Sequence, residues 1–317
     1  MIKKKYLALV SVALILIIIY SSNPSSLVEN ILKIKVEVLP KLAALLIISI
    51  FLRTLKWQFV LNKTKRVSFA SLLPVNLSGV LLRDTLPAKV GEPLKALLLK
   101  DIFSIPISKG IVSVVWDRLI DFIALASLTV LFLALTLGNF GSSGVLAGLG
   151  GIAIVLIACV VAVFGLIDKK VGAIVIKPFS KTLFFRRFLT VDAVDSFYST
   201  SVGLTNVVIN YILTLFSVCV EGLMFYVVLL SMGVNINPLY VVSAFSFSVI
   251  CGSVSFLPAG IGSLEAVFIL SLMYDGVNQS QAAACIISVR SFSILSMYLL
   301  GLLSSTVCIK KGSSLES

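Results

Sequence analysis

Long apolar stretches separated by short basic clusters dominate this chain of 317 residues. The first apolar stretch, residues 7–20, follows three lysines at positions 3–5 and has the form of a retained signal anchor. Further stretches run over residues 38–61, 110–137, 145–167, 206–232 and 282–309, and each is long enough as a helix to cross a hydrocarbon core of about 30 Å. The pattern predicts an all-α, polytopic integral membrane bundle with six full spans.

Two further regions, residues 69–103 and 239–274, have shorter apolar runs. Proline and glycine interrupt them at Pro74, Pro87, Gly91, Pro93, Pro258, Gly260 and Gly262. Such interruptions predict broken helices, either re-entrant hairpins or pairs of short spans. Irregular backbone is tolerated at membrane depth only where it lies against protein or lines a wet cavity.

The chemical composition agrees with a membrane location and excludes several classes of site. Hydrophobic residues make up 59% of the chain and the mean hydropathy is +1.12, far above soluble averages. The absence of histidine excludes imidazole zinc sites and Ser-His or Cys-His nucleophile pairs within this chain. The five cysteines lie in apolar stretches without C-x-x-C spacing, so we expect small buried side chains, no metal and no cofactor.

The 26 Lys and Arg residues, against 14 Asp and Glu, predict the orientation in the membrane. Basic clusters at 3–5, 53–66, 169–187 and 310–311 are expected on the cytoplasmic side of the cell membrane, with both termini. We therefore read one transmembrane domain over 1–317: an N-terminal anchor (1–37), a first unit (38–167), a cytoplasmic loop (168–203), a second unit (204–309) and a tail (310–317). This distribution indicates membrane topology, and we expect no nucleic-acid partner.

An internal repeat links the two broken regions. The segment LPAKVG at 86–91 recurs as LPAGIG at 257–262, and each copy leads into a full span that carries an arginine, Arg118 or Arg290. Because the chain changes sides between the copies, the repeats would be related by inversion, as in many secondary transporters. The alternative is that L-P-A-x-x-G is only turn chemistry, with Pro starting a helix and Gly allowing close packing.

Charged residues at membrane depth are the second feature. A helix that starts near Ser108 places Asp117 and Arg118 about 13 Å along its axis, and Asp121 lies one turn from Asp117, so this cluster can pair partly within its helix. Each charge facing lipid would cost roughly 2.5–3.5 kcal/mol. We therefore expect these charges to face the bundle interior, where Glu221 or Asp117 could pair with Arg290. A purely structural salt-bridge network is the alternative.

The first broken region adds a basic cluster beside helix starts, which would attract a phosphate. The second copy has Gly260 in place of Lys89 and keeps Glu265, so a head-group site would differ between the two faces. The candidate substrate-binding side chains are Arg83, Lys89, Glu92, Lys95, Asp117, Arg118, Asp121, Glu221, Glu265 and Arg290. The candidate hinge positions are Pro87, Gly91, Pro258, Gly260 and Gly262.

These motifs resemble the lysylphosphatidylglycerol synthase transmembrane family, also called the flippase-like domain family. The match rests on LPAKVGE at 86–92 with Lys95, WDRLID at 116–121, and PAGIGSLE at 258–265 with Arg290. The resemblance implies a domain that translocates or presents lipids such as aminoacylated phosphatidylglycerol or isoprenoid-linked sugars. Family members typically have Arg at Lys89 and Lys95, and Lys lacks the bidentate fork of Arg for phosphate.

Three functions remain open from the sequence. The first is a flippase or transporter for an anionic or aminoacylated phospholipid or an isoprenoid-linked intermediate. The second is a membrane-embedded transferase with Asp117 or Glu92 as general base. The third is a noncatalytic scaffold for a separate soluble enzyme, since we expect no soluble aminoacyl-transferase domain after residue 309. Membrane lipids are the expected partners, and a homo-oligomer is left open.

Overall fold

The computed structural model describes residues 2–85, 91–137, 204–255, 257 and 260–313, with a few isolated residues between 150 and 161. Every regular element in these main ranges is an α-helix. In chain order the helices are α1 (Ile2–Ser21), α2 (Pro24–Leu32), α3 (Val38–Leu61), α4 (Phe69–Thr85), α5 (Gly91–Phe103), α6 (Ile107–Leu137), α7 (Leu204–Ser231), α8 (Pro238–Val254), α9 (Ser263–Tyr274) and α10 (Gln279–Ser313). The predicted all-α class is confirmed.

Four of the described helices, α3, α6, α7 and α10, are long and apolar enough to cross a membrane. The N-terminal region gives a fifth candidate only if α1 and α2 count as one span, because they meet at a bend of 83°. Asn23 in this bend has a φ of 56°, and Pro24 then starts α2. The structure therefore supports four or five spans, and the predicted stretch 145–167 and loop 168–203 lie outside the main described ranges.

Both broken regions consist of two short helices, as the interruptions predict. α4 and α5 form the first hairpin, and α8 and α9 form the second. In the second break Gly260 and Gly262 have φ values of 65° and 93°, which favour glycine. A Cβ on Gly262 would also lie 2.7 Å from Cβ of Leu14 in α1. Pro87, Lys89 and Pro258 lie outside the described residues.

The two halves present the same succession of a long, a short, a short and a long helix. α3 packs against α7, α4 packs against α10, and α8 packs against α6. Each half thus lays the first helix of its hairpin on the last long helix of the other half. This exchange is what an internal repeat would produce; the inversion across the membrane stays a prediction.

The buried apolar side chains of the described residues form one larger cluster and two smaller ones. The larger part includes the ring cluster of Phe225, Phe245 and Phe268, with centroid separations of 4.8, 4.9 and 6.5 Å. A smaller part gathers buried side chains of α3 to α6 around Trp57 and Leu99. The ring of Trp57 lies beside the ammonium group of Lys95, so this cluster borders the polar site described next.

Candidate functional site

Two cations inside α3 form the centre of a buried charged cluster. Residues 53–66 predict a basic cluster at the membrane surface, whereas Arg53 and Lys56 lie inside α3 and turn toward other helices. Only 2% of Lys56 is exposed. A buried ammonium group requires carboxylate or hydrogen-bonding partners, and α6 supplies them.

Lys56 and Arg118 share two aspartates of α6. Lys56 Nζ lies 2.9 Å from Asp117 Oδ1 and also binds Asp121. Arg118 Nη2 lies 2.6 Å from Asp117 Oδ2 and 3.0 Å from Asp121 Oδ2. The predicted pairing within this helix is therefore confirmed, and α3 contributes a cation that the prediction did not include.

A second ion pair joins α3 to α7 across the two halves. Arg53 donates from Nε to Glu221 Oε1 at 2.6 Å and from Nη2 to Oε2 at 2.8 Å. Ser49 donates to the same Oε1 at 2.6 Å. This two-pronged geometry is the strong form of an arginine–carboxylate contact, and it fixes α3 against α7 beside the aspartates.

Lys95 approaches the cluster from α5. Its Nζ donates to Asn76 Oδ1 of α4 at 3.2 Å and lies 5.2 Å from the centroid of the Trp57 ring. The side chain of Lys95 runs past Gly79, and a Cβ added to Gly79 would lie 2.4 Å from Cγ and Cε of Lys95. Gly79 therefore leaves the room that brings Lys95 to the site.

A small cavity lies among these groups. Its volume is about 20 Å³, which is room for roughly one water molecule. Charged and amide side chains and a smaller number of apolar side chains line it. The charged and amide side chains are those of Arg53, Lys56, Asn76, Lys95, Asp117 and Arg118, and the apolar ones are those of Ile50, Leu77, Val80 and Met297. Among the described residues the cluster combines four cations with three carboxylates: Arg53, Lys56, Lys95 and Arg118 with Asp117, Asp121 and Glu221.

Comparison with known proteins identifies the family of this chain. A family model described as the lysylphosphatidylglycerol synthase TM region matches residues 7–301. The chain belongs to this family.

Three relatives from two archaea are named as UPF0104 membrane proteins. A UPF0104 membrane protein of Methanothermobacter thermautotrophicus is 26% identical over 262 residues, covering 76% of each protein. Another of Methanocaldococcus jannaschii is 24% identical over 229 residues, 69% of this chain and 91% of that protein. A further M. thermautotrophicus protein is 23% identical over 279 residues, 81% of this chain and 80% of its own length. These names support a multi-pass membrane protein.

The second half of this lysylphosphatidylglycerol synthase TM region holds a separate ion pair. Arg290 of α10 binds Glu265 of α9, and Glu265 Oε2 accepts the backbone N–H of Gly262 at 2.7 Å. The expected pairing of Arg290 with Glu221 or Asp117 is wrong for the described residues, because Glu265 lies closer in the chain and faces it. Neither Glu265 nor Arg290 lines the cavity.

The structure thus brings together part of the predicted site. Lys95, Asp117, Arg118, Asp121 and Glu221 meet in one cluster, while Glu265 and Arg290 form the other pair. Gly91 starts α5. The side chains of Arg83 and Glu92, like Lys89, Pro87 and Pro258, lie outside the described residues.

Sequence reasoning missed Arg53, Lys56 and Asn76. The available signal was the position of Arg53 and Lys56, three residues apart and still inside the apolar run that ends at Leu61. Residues at this spacing lie on one helix face. Two cations on one face of a spanning helix indicate carboxylate partners on neighbouring helices.

Proposed function

We propose that this chain translocates or presents a lipid whose head group carries a phosphate, either an anionic or aminoacylated phospholipid or an isoprenoid-linked intermediate. The observation that carries the proposal is the convergence of Arg53, Lys56, Lys95 and Arg118 from three helices on one cavity inside a membrane domain. Intramembrane charges are expensive and usually mark substrate pathways. Membership of the lysylphosphatidylglycerol synthase TM family agrees with a lipid as the substrate.

The proposed path keeps the tails in the bilayer while the head group moves through protein. The head group enters between the two broken hairpins, and its phosphate is neutralised by Lys95 and Arg118 on the first side and by Arg290 on the second. Asp117, Asp121, Glu221 and Glu265 hold these cations in place or meet a cationic amine of the head group. The cavity of about 20 Å³ is smaller than a phosphate, so the helices around it must separate during transport.

The proposal includes the orientation and the partners. Both termini lie on the cytoplasmic side of the cell membrane, because basic segments remain there. Membrane lipids are the partners that transport requires. A soluble enzyme that makes the lipid, or a second copy of the chain, would add a contact that co-purification from mild detergent detects.

The transferase hypothesis has two candidate bases, Asp117 and Glu92, and the side chain of Glu92 lies outside the described residues. The contacts of Asp117 give this hypothesis little support. Both oxygens of Asp117 are engaged, Oδ1 by Lys56 and Oδ2 by Arg118. To act as a general base, Asp117 would have to release one of these cations and come within hydrogen-bond reach of the substrate proton. Transport therefore accounts for the cluster better than catalysis by Asp117.

Leaflet exchange in proteoliposomes tests the proposal. The purified chain is reconstituted with fluorescent or lysylated phosphatidylglycerol, and exchange is followed by quenching or by amine labelling from outside. We expect exchange above that of protein-free vesicles, and a large loss in Lys95→Met and in the double variant Arg118→Ala, Arg290→Ala. Removal of one charge-assisted contact weakens binding by about tenfold or more.

The matched control is Lys33→Met, which removes a lysine from an exposed pair with Glu29. It should exchange lipid at the wild-type rate. Thermal unfolding of each variant in detergent confirms that the fold is retained. Equal exchange by the wild type and the Arg118→Ala, Arg290→Ala variant would falsify the proposed function.

A further inference from the structure

The two aspartates of the cluster occupy the positions that a lipid phosphate needs. Asp117 lines the cavity together with Lys56 and Arg118, and its two oxygens are bound to those two cations. Asp121 binds the same pair of cations from one turn further along α6. Lys56 and Arg118 therefore already carry two acidic partners before any substrate arrives.

The cavity leaves no room for a phosphate beside the aspartates. About 20 Å³ admits roughly one water molecule, whereas a phosphate brings four oxygens. Lys56 is 2% exposed and is bound by both aspartates, so a phosphate that binds Lys56 competes with an aspartate oxygen. Lys95 also lines this cavity and can balance one negative charge. It does not keep the phosphate away from Asp117, because Lys95 and Asp117 line the same cavity.

Two anions that share a buried site are rarely both ionised. Like charges within a few ångströms disfavour each other, and a buried carboxylate that loses its cation tends to lose its charge. We propose that the substrate anion and a proton bind to this cluster together: the phosphate takes Lys56 and Arg118, and Asp117 or Asp121 takes up the proton. This inference rests on the proposed function and adds a proton as the coupled species.

In the part of the chain that the structure describes, the charged groups around the aspartates come from four helices. The groups that face them are Arg53 and Lys56 of α3, Lys95 of α5, Arg118 of α6 itself and Glu221 of α7. Glu221 is held by both arms of Arg53 and by Ser49. α8, which packs against α6, has no Asp, Glu, Lys or Arg between positions 238 and 254.

The exchange is balanced in charge. An aspartate oxygen releases its N–H donor and forms an O–H bond with a proton from the water on the loading side, while the phosphate accepts the freed N–H. On release the phosphate leaves, the O–H bond breaks, and the proton passes to water on the other side as the cations return to the aspartates. A proton gradient would then drive a lipid with one negative charge across the membrane. No net charge moves, because one proton accompanies each lipid.

Binding at several pH values tests the coupling. Short-chain phosphatidylglycerol is titrated calorimetrically into the purified full chain in detergent between about pH 8 and about pH 5, where its phosphodiester stays ionised. We expect the affinity of the wild type for the lipid to rise by about tenfold as the pH falls. If the bound lipid makes an aspartate bind its proton tenfold more tightly, protonation makes lipid binding tenfold tighter in return. Titrations in buffers of different ionisation enthalpy should show proton uptake.

The decisive variant is Asp121→Asn, because it removes one acidic competitor and leaves Asp117 with both cations. We expect tighter binding than wild type at about pH 8, and one of the two variants Asp121→Asn and Asp117→Asn should lose most of the dependence on pH, which identifies the aspartate that takes up the proton. Glu29→Gln, which alters an exposed pair with Lys33, should behave as wild type. Asp117→Asn is the second variant if Asp121→Asn unfolds below the assay temperature.

The outcomes separate this inference from the function on which it rests. Wild-type binding that is independent of pH and takes up no proton overturns the coupling and leaves lipid transport intact. Weaker binding by a folded Asp121→Asn variant overturns it as well. If neither phosphatidylglycerol nor an isoprenyl phosphate binds at any pH, both the proposed function and the coupling fail.

Discussion

The two broken hairpins have similar backbones and different chemistry. Around the first hairpin, Lys95 lines a cavity together with charged side chains of α3 and α6, and Arg53 of α3 also binds Glu221 of α7. Beside the second hairpin the described charges form one pair, Glu265 with Arg290, and Glu265 is also bound to the N–H of Gly262 at the start of its own helix. The repeated motif thus accounts for the breaks in the helices, while the charges around each break have diverged.

This difference separates a positional role from a binding role. Glu265 closes the first turn of α9, where an acidic side chain stabilises the unpaired N–H groups of the helix start. The cluster around the first hairpin does not cap a helix start, since its members come from α3, α5, α6 and α7. Under the proposed function we therefore expect the first hairpin to bind the head group, and the second to keep a similar backbone with the ion pair of Glu265 and Arg290.

The largest effect is expected from a test of the inverted repeat. Single cysteines at Lys89 and at Ile261, in a background without the five native cysteines, should react with an impermeant maleimide from opposite sides of the membrane. Ile261 replaces its neighbour Gly260 as the probe, because a Cβ on Gly260 would lie 3.1 Å from the carbonyl oxygen of Gly252. The expected result is all-or-none labelling in right-side-out and inside-out vesicles.

A control cysteine at Lys33, exposed and outside both breaks, checks the orientation of the vesicles. Labelling of Lys89→Cys and Ile261→Cys from the same side contradicts the inverted relation. The comparison between the hairpins would then be one of two turns with similar chemistry on a single face.

Next in size is the loss of Lys56. Lys56→Met leaves Asp117 and Asp121 with Arg118 alone, and removal of one partner from a buried ion pair costs about 3–5 kcal/mol. We expect a strongly lowered unfolding temperature in detergent and no lipid exchange. The double variant Lys56→Met, Asp121→Asn restores the charge balance and should recover part of the stability; failure to recover any would mean that packing of the lysine chain, and not its charge, matters.

Sequence patterns predicted the helices well because a spanning helix is a long and redundant signal. The stretch 38–61 coincides with α3, and the interruptions at Gly260 and Gly262 mark the second break. The pairing of charges was harder, because it depends on which helices meet. Arg290 pairs with Glu265 and Arg53 with Glu221, and neither choice follows from spacing within one helix. Lys56 was misread since a basic cluster normally marks the membrane surface.

A smaller effect is expected where only the placement of a cation changes. In Gly79→Ala the new methyl would lie 2.4 Å from Cγ of Lys95, so the lysine must leave the cavity while every charge remains in the chain. We expect lipid affinity to fall by about tenfold to a hundredfold, as for one lost charge-assisted contact. Gly252→Ala is the matched control, since its Cβ would lie 2.9 Å from Cβ of Leu264 and disturbs packing between α8 and α9, whose residues do not line the cavity. Equal affinity losses in both variants would show that packing alone is responsible.

The smallest loss of stability is expected from the second half. Arg290→Met removes the described cation of Glu265, but the carboxylate keeps the N–H of Gly262, so the cost should resemble one weakened buried contact, about 1–3 kcal/mol. Thermal unfolding beside Lys56→Met measures this ranking directly, and Glu265→Gln, which keeps an acceptor for Gly262, should fall close to Arg290→Met. Arg290→Met less stable than Lys56→Met would reverse the comparison, because the second pair would then hold the bundle together more strongly than the shared cluster of the first.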